Sequence, residues 1–218
     1  MVIRFSAQGN RSLPIVSVPA EQPKEQSAYL LTVRLHNQRS LRSAEQRQAI
    51  EDALAMAQEV CALYPGLAVA IQERGLALVI SRAQTDGLTA VYASLLLQHL
   101  LREYETVGEF RCHLCHVISP KDPAEITAMA IEAIEEITNL EQNLTLASLA
   151  KAETALMTAE VFTDLDAEQR EWAQEFTHPI LEDLAPREAF YSVERLPKRE
   201  QMLITGQAQV VLGFNMAT

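Results

Sequence analysis

Apolar and polar positions along this chain alternate between two periods, and that succession predicts its elements. Residues 28–35, AYLLTVRL, read as a strand. Ser43 with Gln46 forms a capping box, and Ile50, Leu54, Ala57 and Cys61 follow at helical spacing until Tyr64-Pro65-Gly66 ends the helix. Two apolar runs, 67–73 and 76–82, flank Arg74-Gly75 and predict a hairpin. Thr85-Asp86-Gly87 opens a second helix that is apolar on nearly every side up to His99, as a buried helix is. Gly108 and a strand over 110–118 complete the set. The order is β-α-β-β-α-β across residues 28–118, the split βαβ arrangement of a ferredoxin-like sheet.

Beyond that core, Asp122-Pro123-Ala124-Glu125 is a strong helix start, with Asp at the N-cap and Pro at the first helical position, and the helix runs to Ile137. NLEQNLTLASLAKA predicts another helix and ALMT (155–158) a short strand. AEVFTDL and DAEQREWAQEF read as helix, and EAFYSVERL (188–196) as a closing strand. The class is α+β: a palm-like βαββαβ core with a mostly helical, acidic C-terminal extension and a closing strand. Three stretches follow: an N-terminal strand and arm (1–27), the α+β domain (28–196), and a tail (197–218) whose Val210-Val211-Leu212 is an apolar, β-type run.

Composition narrows the function. The chain has 218 residues, 48% of them apolar, enough for a sizeable core. Uninterrupted apolar runs stay too short for a membrane span, and the start lacks the apolar region of a signal peptide. Three cysteines with no framework spacing fit a reducing cytoplasm. Net charge is −11, and it is concentrated: residues 1–120 are balanced, whereas 121–194 carry 17 acidic and 4 basic side chains. Nucleic acid demands a basic face, so this distribution argues against it; it suits a solvated acidic helical face that keeps the chain soluble, or a basic protein partner.

The stretch Cys112-His113-Leu114-Cys115-His116 has the C-x-x-C-H spacing of c-type haem attachment and four potential zinc ligands. Haem attachment requires export, and a structural zinc site requires a second ligand pair, but Cys61, His36, His99 and His178 are isolated. Period-2 alternation instead puts Cys112, Leu114, His116 and Ile118 on one face of a strand and Arg111, His113, Cys115 and Val117 on the other. The expectation is a strand with inert thiols, no metal and no cofactor. Phosphate-loop, dinucleotide-binding, zinc-protease and nucleophile-elbow motifs do not occur.

With the element order in hand, the chain resembles the class III nucleotidyl cyclase homology domain over residues 28–196. Glu73-Arg74-Gly75-Leu76-Ala77-Leu78-Val79-Ile80 looks like the family's hairpin, Cys112 to His116 like its later strand with His116 in the family's His position, and NLTLASLAKAETALMTAEVFTDL like its helix, strand and short helix. The resemblance implies two Asp carboxylates holding two metal ions. Here no acid stands between Ala28 and Ala44, and the second Asp position carries Arg74. Of the family's Asn and Arg four apart, Asn143 matches the first, but Ala147 stands at the second.

These departures lead to the expectation of a degenerate domain that is no enzyme and serves as a protein-interaction or signalling module; a homodimer is compatible with the resemblance. One alternative is an assembly or scaffold factor using its terminal segments. Another is a nucleotide or anion sensor without turnover, with Arg34, Arg39 and Arg74 converging on an anion and His116 a further candidate for ligand binding.

Overall fold

In the computed structural model, residues 26–83, 85–104, 106–119, 134 and 138–215 are described. The expected strand at 2–6, the arm up to Glu25 and most of the helix at 122–137 lie outside the described residues. Seven strands form one sheet in the order β2-β3-β1-β4-β5-β7-β6. The ferredoxin-like half comes first: β1 (Gln26–Leu35), α1 (Ser43–Leu63), β2 (Gly66–Ile71), β3 (Gly75–Ser81), α2 (Gly87–Glu103) and β4 (Phe110–Ser119). It matches the predicted order element by element.

β1 lies between β3 and β4 and is antiparallel to both, with Arg34 opposite Gly75 on β3 and opposite Arg111 on β4. Its alternation separates two cores. Tyr29, Leu31, Val33 and Leu35 face α1 and α2, while Ala28 and Leu30 face the other side with Val69, Val79, Cys115 and Val117. Each fully buried Leu contributes roughly 1.5–3 kcal/mol relative to exposure, so this two-sided burial fixes the register of β1. Gly75 is required by close approach: a Cβ there would lie 2.0 Å from the Val33 carbonyl oxygen.

Local chemistry sets the helix starts. Asp86 caps α2 by accepting from Thr89 N at 2.8 Å. At α1 the cap sits one residue earlier than expected. Glu45 accepts from Arg42 N at 2.7 Å, and the Gln46 amide donates instead to the Gln38 and Leu41 carbonyls.

The second half adds α3 (Leu140–Leu149), β5 (Ala155–Thr158), α4 (Ala159–Thr163), α5 (Ala167–Arg170), β6 (Ala173–Phe176), α6 (Leu181–Leu184), β7 (Phe190–Val193) and α7 (Lys198–Asn215). β5 joins β4 in parallel, and β7 and β6 extend the sheet antiparallel. α3 covers the face opposite α1 and α2, through Leu140 and Leu144.

Two expectations are corrected. DAEQREWAQEF is one turn of helix followed by the edge strand β6, whose backbone pairs with β7 from Ala173 to Phe176. At its end Arg170 donates to the Phe162 and Thr163 carbonyls. The tail is a helix and adds no strand. Ile204, Ala208 and Val211 are buried in the helix-side core, Tyr64 donates to Gln207 at 2.8 Å and Tyr92 to Glu200 at 2.5 Å. A stripe at 204, 208 and 211 is helical spacing, and its burial against α2 outweighs the β-preference of Val210-Val211.

Candidate functional site

The two ends of β1 carry separate polar groups. At the hairpin end, β1 runs out through Arg34 and Leu35 into the loop 36–42. This loop is pinned: His36 N donates to the Glu109 carbonyl at 2.7 Å, Glu109 N donates to Asn37 Oδ1 at 2.9 Å, and Asn37 Nδ2 donates to the Val107 carbonyl at 3.1 Å. Arg34, His36, Asn37, Gln38, Arg39 and Ser148 line a concavity of about 450 Å³ there. Neither Arg34 nor Arg39 forms an ion pair among the described residues. Arg111, opposite Arg34 on β4, forms none either, so two like charges face each other across the strands.

Arg74 sits at the tip of the β2–β3 hairpin, in the one-turn helix Gln72–Arg74. The register places it next to Gly75, and therefore beside Arg34. Its guanidinium is paired with Glu141 at the start of α3, and Glu141 is 70% exposed. Exposed pairs of this kind contribute at most about 1 kcal/mol, so Arg74 exchanges partners easily.

The resemblance implies metal-holding carboxylates at the exit of β1 and at the hairpin. The hairpin position itself carries Arg74 and the exit of β1 carries Arg34 and Arg39, and a guanidinium repels a divalent cation and has no lone pair to offer it. The donor set does not fit a pair of metal ions. Among the described residues, no group of three or more His, Cys, Asp or Glu side chains could hold a metal.

Asn143, the match to the family's Asn, is turned toward the sheet. It is buried, receives the Cys115 thiol at 3.3 Å and donates to Thr138 Oγ1 at 2.8 Å. Cys112 and Cys115 point to opposite faces of β4, into different cores, so they cannot converge on one ion. Burial pushes both thiols up to about 12.

Beneath α3 runs a feature with no signal in the sequence. Thr32 Oγ1, both ring nitrogens of His113, Thr158 Oγ1 and Arg111 Nε are buried without hydrogen-bond partners among the described residues. Thr32 faces His113 in register, and the Phe190 ring lies 6.0 Å from the imidazole. Burial lowers His113 to about 4, partly offset by Asn143.

His116 lies at the other end of β1, away from the arginines. Its Nε2 is 3.3 Å from Arg82 Nη1, and its Nδ1 is 3.7 Å from a Glu160 oxygen. Asp164 ties this end together by accepting from Tyr29 OH at 2.9 Å and from Arg82 Nη2 at 2.5 Å. Burial, reinforced by the Asp164 bond and charge, pushes Tyr29 up to about 12.

No family model and no curated protein matches the sequence. Solved structures do match the fold. The guanylyl cyclase Cya2 aligns with a TM-score of 0.54 at 11% identity, over 81% of this chain and 96% of its own. The catalytic core of a rhodopsin-guanylyl cyclase in complex with ATPαS gives 0.55 at 10%, over 77% and 96%. An adenylate cyclase from Trypanosoma brucei in its monomeric state gives 0.53 at 12%, over 83% and 94%. These neighbours are adenylyl or guanylyl cyclase structures, and this overturns the expectation that the chain is no enzyme; the lost acids do not settle that question. At such identities the likeness is one of fold, and it agrees with the strand order and the layers: this chain folds as a class III nucleotidyl cyclase domain.

Proposed function

We propose that this cyclase-fold domain is a signalling module that takes up a nucleoside triphosphate at the hairpin end of its sheet, gripping the phosphates with guanidinium groups. The observation carrying this reading is that Arg34 and Arg39 line one concavity and lack acidic partners among the described residues. In a chain of net charge −11, a pocket wall with two unneutralised cations is a local reversal of the field. Guanidinium forks match phosphate oxygens in pairs. The rhodopsin-guanylyl cyclase core holds a nucleotide analogue on the same fold, which supports the choice of ligand.

The test is isothermal titration with ATP and GTP in EDTA, on the unaltered chain and on Arg34→Glu and Arg39→Glu. Binding is expected without metal, weakened about 10- to 100-fold by either reversal, as the loss of one or two charge-assisted hydrogen bonds requires. Absence of binding in EDTA, or affinity indifferent to both substitutions, overturns the reading. The same samples are assayed with Mn²⁺ for cyclic nucleotide, which reports turnover directly.

A further inference from the structure

A second concavity, of about 360 Å³, lies on the helix side between α2, the chain leaving β7, and α7. Its volume is within the roughly 300–1,000 Å³ of small-molecule sites. The floor is apolar, from Leu95, Val193, Leu196 and Ile204. The charges on its wall are unequally satisfied. Arg102 is engaged by Glu153 at 2.6 Å and Glu103 at 3.0 Å. Glu194 is held by Lys151. Arg195 is exposed and forms no ion pair among the described residues.

His99 adds a directed donor. Burial, together with the Arg102 charge, lowers its pKa below 6.5, so the imidazole is neutral at pH 7. Arg102 Nη2 lies 2.7 Å from His99 Nδ1, and because a guanidinium only donates, Nδ1 is the acceptor. The ring proton is therefore on Nε2, which has no partner among the described residues. One unpaired guanidinium and one imidazole N–H thus stand over a hydrocarbon floor.

We infer that this concavity binds a small amphipathic monocarboxylate, its carboxylate taken by Arg195 and the His99 Nε2–H and its hydrocarbon body laid on Leu95, Leu196 and Ile204. Two of its walls are α2 and α7, so the bound molecule fastens the C-terminal helix to the domain. The site is independent of the arginines at the hairpin end.

The probe is 3-phenylpropionate, with its methyl ester as the uncharged control, titrated into the full chain and followed by NMR shifts and by hydrogen exchange across residues 198–215. The acid is expected to bind, the ester at least tenfold more weakly, and exchange in α7 to slow. Arg195→Ala, at an exposed position that does not threaten the fold, is expected to weaken the acid at least tenfold and leave ATP affinity unchanged. Arg34→Glu is expected to do the reverse, so failure of the two sites is distinguishable. The inference is overturned if the acid does not bind at about 10 mM, where a millimolar ligand is largely bound. It is equally overturned if the ester matches the acid, or if Arg195→Ala changes nothing.

Discussion

His113 makes the stability of this domain steeply acid-sensitive, and the size of the effect follows from its position. The side chain is fully buried in the middle of β4, and neither ring nitrogen has a hydrogen-bond partner among the described residues. Burial lowers it from 6.5 to about 4. Above pH 6.5 both folded and unfolded chains carry it neutral. As pH falls from 6.5 toward 4 the unfolded chain takes up a proton that the folded chain refuses, so stability is lost through that window and no further below it. At 1.36 kcal/mol per unit the full loss is about 3 kcal/mol, a large share of the 5–15 kcal/mol typical of a domain. His113→Leu removes the titrating group and its two unpaired nitrogens while keeping an apolar body beside Phe190. Urea unfolding followed by the fluorescence of Trp172 at pH 7.5, 6.5, 5.5 and 4.5 measures both proteins. Groups common to both cancel in the difference. The original chain is expected to lose ground to the variant by about 1 kcal/mol at pH 5.5 and about 2–3 kcal/mol at pH 4.5. A difference that stays flat over this range would refute the reasoning.

Two further outcomes are expected. Gly75→Ala drives a methyl to 2.0 Å from the Val33 carbonyl and separates β1 from β3, costing several kcal/mol; a melting temperature within a few degrees of the original would contradict this. Cys112 and Cys115, pushed up to about 12, and Cys61, pushed up to about 11 by burial, should resist a thiol reagent at pH 8 until denaturant is added; rapid labelling of Cys112 or Cys115 in the native chain would show that the strand opens.

The first half of the fold was legible because its determinants are local. Two-residue alternation in AYLLTVRL, the Asp86 cap and the Gly75 turn each act within a few residues, and each agrees with the next. The second half depends on long-range packing. The tail looks β-prone until α2 offers a groove to Ile204, Ala208 and Val211, and β6 exists only because β7 presents an edge. The site divides in the same way. That Arg74 stands at the family's hairpin Asp position, and that no acid lies between Ala28 and Ala44, can be read directly along the chain. That Arg74 meets Glu141, 67 positions away, that Asn143 turns inward to Cys115, and that Thr32 and His113 share a buried seam are products of sheet register, which no local pattern encodes.

The order of assembly along the chain has a consequence for synthesis. Strand β1 leads the described residues, yet the core on its helix side closes only with Val193 and with Ile204, Ala208 and Val211 near the other terminus. While the ribosome is still adding those residues, the nascent chain displays the apolar back of α2 with nothing upon it. Domains fold as units during translation, and exposed apolar surface in an unfinished one invites aggregation. The helix Lys198–Asn215 therefore acts as a latch: a stalled or truncated product lacking it is a client for chaperones and proteases.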